Sequence, residues 1–261
     1  MKMIHHLAFV HEGAKIGENV IIDPFVAISK DVVIGDNTHV YSHAVILDGA
    51  RIGNNCTVFP GAVISGIPQD LKYKGEETVA RIGDFTTVRE CVTINRGTAS
   101  KGETVVGNNC LLMAYSHVAH DCKIGDNIII GNATQLAGEV EIDDWAILSG
   151  GTLVHQFCRI GSHVMIQGGS RIGKDIPPFV TAGREPLCYC GINSIGLRRR
   201  GYTNEEIHEI QDIYRYLYLS GMNTSNALEK IEEELPATKY RECIVNFVKS
   251  SERGILKGYI D

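Results

Sequence analysis

His120 and Asp121 stand side by side in the segment Ser116-His117-Val118-Ala119-His120-Asp121-Cys122. A carboxylate next to an imidazole orients the ring and stabilises its protonated form, which is what a general base requires. Gly138 follows His120 by eighteen residues, the interval at which this chain is expected to stack one coil on the next. A glycine laid against a base exposes a backbone N–H at a place where negative oxygen can develop, the donor that acyl transfer needs. The plainer reading of the segment is a solvated wall with polar decoration. A base and an oxyanion donor meeting at one spot favours catalysis.

Three other groups of residues exceed what an outer wall needs. Pro68-Gln69-Asp70-Leu71-Lys72-Tyr73-Lys74 forms a loop that breaks the repeat described below, and long loops on a tight solenoid are more often functional than not. Arg198-Arg199-Arg200 is too short for a nuclear signal, but guanidinium groups grip phosphate oxygens two at a time, which suggests a phosphorylated ligand or carrier. His155 and His163 join His117 and His120 on outward positions.

The elements that must hold these residues follow from a period of six. From Ile4 to Ile172 every sixth residue is aliphatic at 26 of 29 positions, the exceptions being Asp70, Glu76 and Ser100. Neither a helix, with period 3.6, nor an ordinary strand, with period 2, yields this spacing; a parallel β-helix with three short strands per coil does. Two residues before each aliphatic the slot is usually small, as at Ala44, Ala62, Ser116, Cys122 and Thr152, so a narrow prism is filled by one bulky and one small residue per face. Corners recur at eighteen residues, as in Ile16-Gly17-Glu18-Asn19, Ile34-Gly35-Asp36-Asn37 and Ile52-Gly53-Asn54-Asn55. Gly, Asn and Asp suit such corners because they tolerate positive φ or bond their own backbone. Strands about 4.8 Å apart then build nine or ten coils into a prism roughly 45 Å long.

The spacing predicts a β-helix over residues 1–186, with loops bulging near 66–78 and 96–103, and a helical domain over 187–261. Thr203 and Glu206 form a capping box opening a helix to about Leu219; Thr224 is expected to cap a second helix to about Leu235, and Thr238 to begin a third. A net charge of −6 argues against a nucleic-acid partner. No apolar run approaches a membrane span and the N-terminus lacks a signal pattern, which points to the cytoplasm. Cys56, Cys110, Cys122 and Cys158 fall in the small inward slot, and the cysteine spacing does not suggest a metal site.

At these residues the chain resembles the UDP-N-acetylglucosamine acyltransferases, the first enzymes of lipid A biosynthesis. The hexads, the loop Gln69-Asp70-Leu71-Lys72-Tyr73, Arg89-Glu90 with Thr93, Arg96-Gly97-Thr98, the His117–Cys122 block, His155-Gln156-Phe157-Cys158 and Arg199-Arg200-Gly201 carry the likeness, which spans essentially the whole chain. It implies a left-handed β-helix homotrimer with the site between subunits. It also implies a β-hydroxyacyl donor on the phosphopantetheine of acyl carrier protein, the 3-hydroxyl of UDP-N-acetylglucosamine as acceptor, and no metal or resident cofactor.

In that reading His120 deprotonates the hydroxyl, Asp121 polarises His120, and the Gly138 N–H meets the oxyanion. Gln69, Asp70 and Lys72 contact the ligands, Asp70 and Lys72 near the acyl hydroxyl. His117, His155 and Gln156 line the cleft, and Asn193, Arg199 and Arg200 hold phosphates. Met165, Gln167 and Gly168 border the far end of the acyl groove, where the bare Gly168 leaves room for a long tail. Two positions depart from the family pattern: Glu139 stands where a sugar-contacting histidine is usual, and Ile195 where a glutamate is usual. Two enzymes on the same prism are the alternatives. A γ-type carbonic anhydrase needs three converging metal ligands, for which His117, His120 and His155 are the candidates. A related N-acyltransferase carries a large domain before the hexads, which here begin at Ile4.

Overall fold

The structure, a computed structural model, describes residues 3–258. Very short strands, mostly two residues long, alternate with corners and pair in parallel with the strand one coil away, as in His39↔Thr57, His117↔Gln135 and Ile129↔Ile147. Among the described residues they form three sheets of eleven, nine and eight strands, wound as a left-handed parallel β-helix. The first sheet begins with Met3–Ile4, the second with Phe9–Val10 and the third with Lys15–Ile16.

The hexad aliphatics point inward and, from Ile22 to Ile172, are at most 4 % exposed, except for the three off-pattern positions. Their small partners close the remaining space. Thr38, Thr86, Thr134 and Thr152 occupy that slot with the hydroxyl bonded to a carbonyl, whereas the buried Ser116 hydroxyl in the same slot has no partner among the described residues. The four inward cysteines behave the same way; the Cys56 thiol, for example, lies 3.1 Å from the Gly83 carbonyl. The edge joining the third sheet to the first explains the Gly-Asx-Asn signature. Asp36 Oδ1 accepts the Glu18 N–H, Asn54 Oδ1 that of Asp36, Asp84 Oδ1 that of Asn54, and the ladder runs on through Asn108, Asp126 and Asp144. Each Asx next to a glycine therefore ties one coil to the next. A Cβ on Gly53 would sit 2.4 Å from Asp84 Oδ1, so glycine is obligatory there.

Both loops leave the prism at the edge joining the second sheet to the third. One lies between the strands Val63–Gly66 and Val79–Ile82, the other between Thr93–Asn95 and Glu103–Val106. Asp70, Glu76 and Ser100 all lie in them, which is why the hexad fails only there.

At the C-terminal end the strand Cys188–Ile192 turns back antiparallel on Val180–Gly183, so the helices begin only at Ser194. The change from β-helix to helical domain thus comes later than residue 187, because the proline-rich connector folds as a hairpin on the first sheet. Helix α1 (Ser194–Arg199) is too short to show an apolar period and was not anticipated. α2 (Asn204–Leu219) carries the expected capping box of Thr203 and Glu206. α3 (Thr224–Glu234) is capped by Asn223 rather than Thr224, because it is the Asn223 side chain that accepts the Asn226 N–H. α4 (Lys239–Lys249) is capped by Thr238. The buried Tyr214 of α2 donates its hydroxyl to the Pro178 carbonyl at 2.6 Å and so fastens the helices to the prism. No helix among the described residues is long and apolar enough to cross a membrane.

Candidate active site

Residues 120, 138 and 156 stack on the edge between the second and third sheets, the edge from which both loops emerge. Val118 and Cys122 fill inward slots, which turns His120 outward with its side chain 18 % exposed. Its Nδ1 lies 2.8 Å from Asp121 Oδ2. Asp121 is fully buried. Its carboxylate also accepts the Thr98 hydroxyl at 2.6 Å, the Thr98 N–H at 2.9 Å and the Lys101 N–H at 3.2 Å. Burial pushes the Asp121 carboxyl upward, but the bonds from Thr98, His120 and Lys101 outweigh it and hold the pKa below the ordinary carboxylate range. An ionised carboxylate only accepts, so the hydrogen of the neutral imidazole must sit on Nδ1, leaving the Nε2 lone pair free.

Nε2 faces a cavity of about 490 Å³. Its walls are Gln69, Asp70, Leu71 and Lys72 from the first loop, with His120, Gly138, Glu139, Gln156 and Phe157 from the edge. Asp70 Oδ2 lies 3.9 Å from His120 Nε2. A Cβ on Gly138 would lie 2.6 Å from both Cε1 and Nε2 of His120, so only glycine lets the ring lie against this backbone. Among the described residues no acceptor takes the Gly138 N–H. Glu139 has φ of +60° and accepts a hydrogen bond from Ser100 Oγ at 3.1 Å, which joins the second loop to the cavity wall.

The other candidate residues lie apart from this cavity in the single chain. His117, on the second sheet, shares a 2.7 Å hydrogen bond with Thr93 Oγ1. Burial, and after it the nearby His120, push its pKa below the ordinary imidazole range against an opposing contribution from Thr93. His155 is exposed, with Nδ1 3.0 Å from the Gln156 carbonyl oxygen.

Asn193 is a buried helix cap, not an open phosphate ligand: Oδ1 accepts the Gly196 N–H and Nδ2 donates to the His163 carbonyl. Arg200 reaches the edge between the third and first sheets. There its guanidinium lies 5.2 Å from the centre of the Trp145 ring and donates to the Trp145 carbonyl. His163 beside it is driven down to about 4 by burial and then by Arg200, so it is neutral near neutral pH. Arg199 is exposed at the end of α1.

Gly168 occupies the remaining edge, between the first and second sheets, close to Gly150. Met165 is half-buried on the first sheet, and Gln167 accepts the Arg184 N–H at 3.1 Å. The candidate base, the arginines and the proposed groove end therefore occupy three different edges of one convex prism. Only a second chain laid alongside can put residues from two edges into one groove.

Three features of the site escaped the sequence reading. Thr98 anchors Asp121, Leu71 lies wholly exposed over the cavity, and Phe157 stands 48 % exposed at its rim. All three stand in blocks that carry the family likeness, but neither residue type nor spacing assigns them a part in the site.

Comparison with known proteins adds to this geometry. Residues 175–256 match a family model described as UDP-N-acetylglucosamine O-acyltransferase, domain 2, and residues 13–48, 31–66 and 103–138 match bacterial transferase hexapeptide repeats. An acyl-[acyl-carrier-protein]--UDP-N-acetylglucosamine O-acyltransferase from Chlorobaculum parvum is 48% identical over 255 residues, covering 97% of each chain. One of the same name from Thermodesulfovibrio yellowstonii is 40% identical over 98% of this chain and 100% of its own length. A crystal structure of a UDP-N-acetylglucosamine acyltransferase from Bacteroides fragilis 9343 superposes with a TM-score of 0.96 at 61% identity, covering 98% of this chain and 100% of that one.

Proposed function

The chain belongs to the UDP-N-acetylglucosamine O-acyltransferase family, and from that membership we propose that it transfers a β-hydroxyacyl group from acyl carrier protein to the 3-hydroxyl of UDP-N-acetylglucosamine, the first step of lipid A biosynthesis. The observation that carries the reading is His120 held by a buried Asp121 at 2.8 Å with its free nitrogen over the bare backbone of Gly138.

His120 Nε2 takes the proton of the sugar hydroxyl, and the oxygen attacks the thioester carbonyl. Negative charge gathers on the former carbonyl oxygen, where the Gly138 N–H donates to it. The tetrahedral species collapses as the C–S bond breaks, and the imidazolium returns its proton to the departing thiolate. Asp121 stays ionised throughout and keeps the ring in the reactive tautomer. Gln69, Asp70, Lys72, Glu139 and Gln156 border the space for the reacting groups. No resident cofactor enters the reaction.

The test is an assay of purified protein with UDP-N-acetylglucosamine and a series of β-hydroxyacyl carrier thioesters, with the product identified by mass. Formation of a 3-O-acyl sugar nucleotide is expected; no transfer with any donor would overturn the reading. It would also reopen the alternatives of a metal-dependent hydratase and an N-acyltransferase on the same prism.

The active unit in this reading is a homotrimer, with each groove lined by two prisms. Two observations support it: the site residues lie on separate edges, and Phe25, Phe85, Tyr115 and Leu153 are between 45 % and 66 % exposed. Sedimentation at a mass other than three chains would remove it. The cytoplasm is the proposed location, in keeping with eight cysteines that are all unpaired.

Two predictions follow from the ligands. Arg199→Ala or Arg200→Ala is expected to raise the KM for sugar nucleotide or carrier about tenfold with little loss of melting temperature. Lysine should restore only part of this, because a point charge cannot reproduce the planar fork. Unchanged KM values would make the pair a solubilising patch. Gly168→Met is expected to shift donor preference from long to shorter acyl chains, since each methylene excluded from the groove forfeits about 0.8 kcal/mol, roughly fourfold per carbon. Relative turnover across the donor series reads this directly, and an unchanged profile would place the ruler elsewhere.

A further inference from the structure

The motif Arg96-Gly97-Thr98 has no part in the mechanism above, yet it forms the root of a strap across the active edge. Arg96 N–H donates to the Gly66 carbonyl and Arg96 Nη1 to the Asp48 carbonyl. Thr78 Oγ1, at the end of the first loop, donates to the Gly97 carbonyl at 2.6 Å, so the bases of the two loops are joined. Gly97 is packed so closely that a Cβ would sit 2.3 Å from the Glu103 nitrogen. From this fixed root the strap bonds to two successive coils: Thr98 to Asp121, Ser100 to Glu139, and Lys101 Nζ to Glu141 at 3.0 Å.

We propose that Thr98 is a positioning residue of the transfer reaction, holding Asp121 so that the carboxylate keeps His120 in the tautomer that accepts the proton. Its hydroxyl and its N–H supply two of the four donors to a carboxylate that water does not reach. The hydroxyl shares Oδ2 with His120 Nδ1, so it acts on the same oxygen that orients the ring. A buried carboxylate stays ionised only while hydrogen bonds replace its lost hydration.

Other charged and titratable groups face this pair. Asp70 comes from the first loop, His117 from the neighbouring strand, and Lys101, Glu139 and Glu141 from the strap and the next coil. Lys101 is paired with Glu141, and Glu139 is bonded by Ser100, which leaves the strap's own donors as the direct partners of the Asp121 carboxylate besides His120.

The inference rests on the acyl transfer proposed above, so wild type is measured beside every variant. Thr98→Val keeps the shape and the backbone N–H but removes the hydroxyl. Loss of a hydrogen bond to a charged group predicts roughly a tenfold fall in kcat with both KM values unchanged. The acid limb of the pH–kcat profile should move to higher pH, because a carboxylate with one donor fewer holds the protonated His120 ring more strongly, and the ring must lose that proton to act. Thr98→Ser should restore both. The proton and nitrogen chemical shifts of the His120 Nδ1–H should move in the valine variant, because the oxygen that accepts it has lost its other donor, a readout independent of turnover. A wild type without activity counts against the acyl-transfer reading. An active wild type with an unmoved acid limb and unmoved shifts in Thr98→Val overturns the role of Thr98, as does a fall in kcat that serine fails to rescue. If Thr98→Val does not fold, Thr98→Ala addresses the same bond, and an unmoved limb there overturns it equally.

Discussion

Replacing His120 with alanine is expected to lower kcat by about 10²-fold or more while leaving the assembly and its melting temperature close to wild type. The expectation rests on the direction of the side chain. Val118 and Cys122 fill the prism on either side of it, and the imidazole itself lies outside the core against Gly138. Truncation therefore opens no internal cavity. Asp121 loses one partner but keeps its bonds from Thr98 and Lys101. Turnover by wild type should rise with pH as the imidazole gives up its proton, since only the neutral ring accepts another. In His120→Ala that rise should vanish from the residual rate. A variant that turns over like wild type would remove His120 from the reaction.

Asp121→Asn is expected to damage both activity and stability. The carboxylate receives four donors, and an asparagine in the same place has one acceptor oxygen and a donating NH2. Turned one way, the amide sets its NH2 against the Thr98 and Lys101 N–H groups, a mismatch that costs about 1–3 kcal/mol; turned the other way, it requires the Thr98 hydroxyl and His120 Nδ1 to accept. The amide also presents its NH2 to some rings, and an imidazole that accepts at Nδ1 carries its hydrogen on Nε2, where it cannot act as the base. A fall in kcat on the order of 10²–10³-fold should follow.

The linkage to pH has a definite sign. The folded pKa of Asp121 lies below its unfolded value, so its contribution to stability is complete above the ordinary carboxylate range and is lost as pH falls through the depressed value. Melting temperature against pH should therefore fall more steeply on the acid side for wild type than for Asp121→Asn. Parallel curves, or turnover within a few-fold of wild type, would show that Asp121 is not the orienting group.

The physical reason the fold was legible so early lies in how a β-helix is built. Each residue's neighbours in space are those six and eighteen positions away, so the packing rule is local and repeats. Ile64, Val88, Ile94 and Val118 announce an inward position by type alone, and their small partners announce the narrow bore. The same rule placed His120 and Gly138 together before any coordinates, since an interval of eighteen is one coil. It also located the loops, because Asp70, Glu76 and Ser100 are the positions where the rule fails. The capping box of Thr203 was readable for a similar reason: its two bonds lie within four residues.

What periodicity cannot carry was decided by tertiary structure. Thr98 lies 23 residues from Asp121 across a loop whose path no repeat dictates, so its grip on the carboxylate emerged only in three dimensions. The family likeness groups Asn193 with the arginines as a phosphate contact, but the turn into α1 buries it as a cap. The connector after Pro186 became a hairpin strand because the exposed edge of the first sheet offered it hydrogen bonds, which composition does not record. Above all, the sequence grouped base, arginines and groove end into one site, whereas one prism carries them on three edges. A repeating sequence fixes which face and which coil a residue occupies; which surfaces of separate prisms then meet depends on contacts between distant residues, and these follow no period.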